Sequence, residues 1–113
     1  VLHLGDPRGP YAPPREFVAD WPPQGPGPWD PATLDAATPA ARVADLHAAY
    51  DGEVAFVDHE LGRFLDGLRA AQRYEDALIV VAGTHGEELQ EHGRGGHGRT
   101  LFEEVVAVPL VIR

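Results

Sequence analysis

Ala77-Leu78-Ile79-Val80-Val81-Ala82, followed at once by Gly83-Thr84-His85-Gly86-Glu87-Glu88, is the stretch that decides the fold. An unbroken apolar run of this length fits a strand covered on both faces, as in a parallel sheet, rather than one with an alternating wet face. Tyr74-Glu75-Asp76 turns the chain into it. Residues 83–98 are rich in glycine and histidine, too flexible for a strand and too polar for core. They are expected to form a loop at the strand's carboxyl end, where open α/β sheets present their ligands.

Upstream, Thr38-Pro39 signals a helix start: a threonine hydroxyl caps free N–H groups, and proline is pre-shaped for the first turn. Val43, Leu46, Tyr50, Val54, Val57, Leu61, Phe64, Leu65 and Leu68 recur at steps of three and four, which predicts one apolar face on a helix over 38–73, with a break near Asp51-Gly52 left open. Downstream, Thr100 and Glu103 have capping-box spacing for a short helix over 101–106, and residues 108–112 read as a strand. At the other end, residues 1–4 read as a strand already under way, so a fragment of a longer chain is expected. Nine of the eleven prolines fall between Pro7 and Pro31, making residues 5–37 a long loop. Its aromatics Tyr11, Phe17, Trp21 and Trp29 favour a packed loop. Alternating helix and strand is an α/β pattern.

The chain has 113 residues, with nine Lys+Arg against eighteen Asp+Glu for a formal charge of −9. One domain at most fits that length. Every cation is a scattered arginine, so no basic stripe is available for phosphate backbones and nucleic acid is not expected as a partner. No cysteine is present, which excludes disulfides, thiolate metal sites and a cysteine nucleophile within these residues. The longest apolar run falls far short of the roughly 18–20 residues that cross a bilayer.

His85, His92 and His97 lie in the glycine-rich loop. Imidazole binds divalent metals, transfers protons near neutral pH or hydrogen-bonds an anion, and glycines let backbone N–H groups approach a negative substrate. The alternative for all three is a solvated loop side chain. Glu87 and Glu88 follow His85 closely enough for a two-ligand arrangement, but Thr84 and Glu87 also have capping-box spacing, and for Glu87 the cap is favoured. Glu103 is assigned likewise to a cap from Thr100. His47 and His59 are expected in solvent, Glu53 and Asp58 as helix-surface or polar-contact residues, and His3 as structural. Arg8, in Asp6-Pro7-Arg8-Gly9-Pro10-Tyr11 after the first strand, is suited to hold a sulfate or phosphate by paired hydrogen bonds, or to pair with Asp6 or Glu16. The loops after Leu4 and Ala82 should converge at one rim.

Together these segments resemble the sulfatase family of the alkaline-phosphatase superfamily, in the carboxyl-terminal part of its catalytic domain. Leu2-His3-Leu4-Gly5-Asp6-Pro7-Arg8-Gly9-Pro10-Tyr11-Ala12-Pro13-Pro14 is similar to that family's H-x-x-D-P-H-x-P-Y-x-P-P loop. Tyr50-Asp51-Gly52-Glu53-Val54, Val57-Asp58 and Leu61-Gly62 are similar to its Y-D-x-E helix pattern, and Val80 to Glu88 to its strand and metal loop ending D-H-G-E-E. Glu91-His92-Gly93, Gly96-His97-Gly98, Leu101-Phe102-Glu103-Glu104 and Val108-Pro109-Leu110-Val111-Ile112 resemble the closing segments, in the family's order.

The resemblance implies a partial alkaline-phosphatase-like α/β sheet of about three strands, one long helix and long loops at the active edge. It implies hydrolysis of a sulfate or phosphate ester anion by a formylglycine, serine or threonine nucleophile beside a divalent cation, calcium or magnesium, with zinc or manganese as alternatives. On that basis His85 and Thr84 would be metal ligands, and His97 and Arg8 would be catalytic and substrate-binding. Thr84 replaces the family's aspartate, a neutral hydroxyl where hard cations use a carboxylate. Arg8 replaces a histidine and cannot donate a proton at neutral pH. The nucleophile and the other metal aspartates belong to an amino-terminal portion of the domain outside this chain, so the chain alone is expected to be inactive. Two alternatives remain at this point: a non-catalytic anion-binding module, and a zinc site made by His85, His92 and His97. An interior strand with few neighbours also predicts self-association, or a need for the missing portion.

Overall fold

Residues Ala40–Ala70 form the long helix, α1, in a computed structural model that describes residues 1–18 and 29–113. The helix runs unbroken through Asp51-Gly52. Gly52 is buried there because the preceding loop crosses it: a Cβ would stand 2.6 Å from Val18 Cγ2 and 2.9 Å from Pro13 Cγ. Thr38 does not cap α1. Its hydroxyl instead accepts from Asp35 N at 2.9 Å and contacts Asp35 Oδ1 at 3.1 Å, so it closes the turn before the helix. At the far end, Gln72 takes a left-handed conformation (φ 56°) and terminates the helix.

Among the described residues the apolar stripe is fully buried only over the first half of α1. Leu46 and Ala49 join Tyr11, Trp29, Leu34 and Leu89 in the core, with Val43 and Tyr50 packed against it. Further along, Val54 and Phe64 are exposed. Tyr11 and Trp29 face each other across a two-way backbone bridge (N···O 2.7 and 3.0 Å), so the proline-rich segment is clamped onto the helix by its aromatics. Phe17 meets Phe56 with ring centroids 5.5 Å apart and the planes tilted by 59°. The aromatic expected at position 21 lies outside the described residues.

Strand β1 is Val80–Ala82, shorter than the expected 77–82, and it pairs antiparallel with β4, Leu110–Ile112. Here the expectation of a buried parallel strand is corrected. The neighbour is the chain's own last strand, running the opposite way, and nothing among the described residues covers the pair. Leu78, Val80, Leu110, Val111 and Ile112 are therefore between 54% and 78% exposed. Residues 1–4 join no sheet among the described residues, contrary to the first strand expected there.

The glycine-rich stretch is also more ordered than its composition suggests. Strands β2 (Glu88–Leu89) and β3 (Gly95–Gly96) form an antiparallel hairpin within it. His47 Nε2, on α1, donates to the Leu89 carbonyl at 3.0 Å and ties the helix to this hairpin, although its ring stays accessible. The short helix α2 is Glu103–Val106. Thr100 does not cap it; its hydroxyl goes to Glu88 at 3.2 Å, so the cap assigned to Glu103 is also set aside.

Glu53 is buried on α1 and accepts a hydrogen bond from Ala12 N at 2.7 Å, a polar contact rather than a surface position. Burial raises its carboxyl above the usual range; the Ala12 bond lowers it and the charge of Asp6 raises it, with the balance upward. The folded chain then holds this proton when the unfolded chain has lost it. The stability Glu53 contributes is present below the ordinary carboxylate range and is lost as pH rises through the raised value. Glu53→Gln keeps an acceptor for Ala12, so its stability relative to the parent is expected to improve between pH 4 and pH 7. Urea melts at the two pH values check this, and parallel curves would contradict it.

Candidate anion-binding site

The proline-rich loop and the β2–β3 hairpin meet at a cleft of about 190 Å³, lined by Arg8, Asp30, Glu87, Gly96, His97 and Arg99 among others. Two features bring the loops together. Gly95 has no room for a side chain, because a Cβ would fall on the Pro31 carbonyl oxygen. Gly96 sits at φ 96°, a conformation open to glycine, and turns His97 into the cleft wall.

Glu87 organises the floor. It is buried; its Oε2 accepts from the Tyr11 hydroxyl at 3.2 Å, and its Oε1 lies 3.0 Å from His97 Nδ1. The carboxylate thus places the His97 proton on Nδ1 and leaves Nε2 as the ring atom that takes or gives a proton. Burial holds the Tyr11 phenol far above its ordinary value, with the charge of Glu87 adding to it, so the hydroxyl stays a donor. Tyr50, 5.4 Å from Tyr11 ring to ring, is raised by burial and then by Glu87. The cap proposed between Thr84 and Glu87 is overturned: Glu87 bonds across the fold because its side chain points inward beneath the hairpin.

The cations on the rim are differently placed. Among the described residues no hydrogen bond or ion pair engages Arg8 or Arg99, and the alternative pairing of Arg8 with Asp6 or Glu16 is not formed. Asp30, the other acidic lining residue, accepts from Ala32 N at 2.9 Å, and Glu87 is occupied as described. Among the described residues both carboxylates are engaged while neither guanidinium has a partner, a disposition that favours an incoming anion.

His85 is exposed, stacked on His97 with ring centroids 4.0 Å apart, its Nδ1 3.0 Å from the Gly86 carbonyl. Thr84 is exposed and lines no part of the cleft. Around these two no group of three acidic or histidine ligands gathers among the described residues. The three-histidine zinc arrangement is also corrected. His92 turns away to Glu104 and Glu88 and stacks on Phe102 at 3.7 Å, because α2 packs against that side of the hairpin.

Of the residues expected from sequence, Arg8 and His97 share the cleft and His85 backs His97. Arg99, Tyr11 and Asp30 were not foreseen. Arg99 had a signal, since Gly96-His97-Gly98-Arg99 places a second cation two residues beyond His97.

Known proteins give this geometry a context. An uncharacterized sulfatase, YidJ, of Escherichia coli is 31% identical over 58 residues, 51% of this chain and 12% of that protein. A multifunctional alkaline phosphatase superfamily protein, PehA, of Trinickia caryophylli is 32% identical over 85 residues, 73% of this chain and 15% of its own length. A sulfatase of Formosa agariphila is 39% identical over 62 residues, 55% of this chain and 12% of that protein. The chain thus spans only 12–15% of the length of these curated relatives. The sulfatase family model matches residues 2–113, nearly the whole chain, and with its motifs in family order the chain belongs to the sulfatase family of the alkaline-phosphatase superfamily.

Proposed function

We propose that this chain supplies one wall of a sulfuric or phosphoric ester hydrolase site, the wall that holds the ester's anionic head. The observation that carries this is the pair of guanidiniums, Arg8 and Arg99, that have no partner among the described residues and stand beside a histidine whose Nδ1 proton is held by Glu87. Arg8 and Arg99 would bind and orient the oxyanion, and Nε2 of His97 would hold or deliver a proton at the leaving oxygen. A cleft of about 190 Å³ suits an anionic head, not a drug-sized molecule. The chain contains neither serine nor cysteine, so it offers neither precursor of the formylglycine nucleophile the family resemblance implies, and by itself it should bind without turning over.

Calorimetric titration with sulfate and phosphate, in the presence of a chelator, tests the binding. One anion per chain is expected, with Arg8→Ala or Arg99→Ala weakening it roughly 10–100-fold, the range of a charge-assisted hydrogen bond. Heat unaffected by either substitution would refute the assignment. Turnover of aryl sulfates or aryl phosphates by the isolated chain would refute its inactivity. The same titration bears on the second possibility, a binding module whose chemistry has been lost, which the neutral Thr84 favours; such a module needs no further segment for tight binding. The bare β1–β4 pair would be covered by the rest of a longer protein or by a second copy, and sedimentation velocity of the same sample should show association.

A further inference from the structure

We propose that Glu88, His92 and Glu104 form a divalent-metal site of the zinc class, joining the β2–β3 hairpin to α2. None of the three lines the anion cleft. One ligand atom from each lies within 4.8 Å of the others. The state of the oxygens is what points to an ion.

Glu88 is 1% exposed. Its Oε2 receives the Thr100 hydroxyl at 3.2 Å, but its buried Oε1 has no hydrogen-bond partner and stands 3.7 Å from His92 Nδ1. Glu104 Oε1 is also buried. It lies 2.7 Å from the same nitrogen yet makes no aligned hydrogen bond with it. An oxygen left unpaired in the interior costs about 1–3 kcal/mol, more if charged, so two aimed at one nitrogen call for a physical explanation. A carboxylate bonded to His92 would sit on the line of the N–H. An ion on the Nδ1 lone pair would instead be flanked by oxygens lying off that line, as Glu104 Oε1 does, with Glu88 Oε1 standing beyond hydrogen-bond reach of the nitrogen.

Distances and charge agree with this. Ligands at 2.0–2.2 Å on a tetrahedral zinc ion stand roughly 3.4 Å apart, and the separations of 2.7 and 3.7 Å bracket that value. Two carboxylates with a neutral imidazole carry a charge that a divalent cation cancels, where burial would otherwise penalise both anions. One imidazole nitrogen with two carboxylate oxygens suits zinc, with manganese the nearest competitor. The ligands are also held from outside the site. Thr100 orients Glu88, and Phe102 stacks on the His92 ring with 16° between the planes. His92 is partly exposed, so the ion has a way in and water can complete its coordination.

The test is titration of the full chain with zinc chloride against a chromogenic chelator, followed by cobalt(II) as a spectroscopic stand-in. One zinc per chain is expected, with a higher melting temperature and a cobalt spectrum of an N/O site. Glu104→Gln, partly exposed and isosteric, should lower affinity by roughly 100-fold or more, as should Glu88→Gln. If Glu88→Gln does not fold, paramagnetic broadening of the His92 ring by cobalt in the parent chain decides the matter. Zinc affinity unchanged in Glu104→Gln, or His92 signals untouched by cobalt, would overturn the proposal, as would binding that is lost in His85→Ala and kept in His92→Ala. Sulfate titration of the zinc-free and zinc-loaded chain reports on the Arg8 and Arg99 cleft separately, so failure at one site is distinguishable from failure at the other.

Discussion

Replacement of Glu87 by leucine is expected to destabilise the fold by about 3 kcal/mol and to weaken sulfate binding in the same protein. The side chain is buried between the Tyr11 hydroxyl and His97 Nδ1, so truncating its polar end strands both donors at once. Tyr11 is the more costly of the two, since it is fully buried in the core and its phenol has no access to water. Glu87→Gln separates the effects. An amide oxygen still accepts from Tyr11, while the amide N–H facing His97 forces the ring proton to Nε2. Most of the stability should then survive, and the pH dependence of anion binding should change. Urea melts of the three proteins, with sulfate titrations across pH, provide the check; a Glu87→Leu protein as stable as its parent would remove the carboxylate from the centre of the fold.

Gly86→Ala should be as damaging through pure crowding. A Cβ there would fall on the Glu104 carbonyl oxygen, and Gly86 N already donates to the Val105 carbonyl at 2.8 Å. Backbone cannot rotate away as a side chain would, so α2 must shift as a body and break that bond. A loss of about 3 kcal/mol is expected, at the upper end for overpacking, along with displacement of Glu104 from His92. Gly62→Ala and Gly67→Ala are the controls. Both sit on α1 with open space around them, and each should be neutral or stabilising by up to about 1 kcal/mol on helix propensity alone. Thermal melts of the three variants compare these effects, and a Gly86→Ala protein with unchanged stability would show that the hairpin and α2 are not packed as described.

The helix was legible because its cause is local. Steps of three and four between Val43 and Leu68 select one face whatever surrounds it, and α1 spans Ala40–Ala70 accordingly. The caps differ from their expected partners for a related reason. Capping-box spacing permits a bond without compelling it, and Thr38, Thr100 and Glu87 each found a partner from a distant or preceding turn that satisfies them better. Arg8 and His97 were legible as candidates because the order of motifs matched a family. Arg99 was marked only by its place two residues beyond His97, and the Glu88, His92 and Glu104 cluster became visible only when α2 was folded against the hairpin.

By itself the sequence determined the long helix, the two apolar strands, the glycine positions that tight turns require and the family, because each follows from short-range periodicity, backbone freedom or ordered motifs. Only the tertiary structure decided that β1 runs antiparallel to β4, that Glu87 lies beneath His97, and that His92 faces two carboxylates and not the other histidines. Those outcomes depend on which groups, most of them ten or more residues apart and seventy-six apart in the Tyr11 to Glu87 bond, are brought within a few ångströms. Buried polar atoms choose partners by proximity and desolvation, and a linear pattern carries neither.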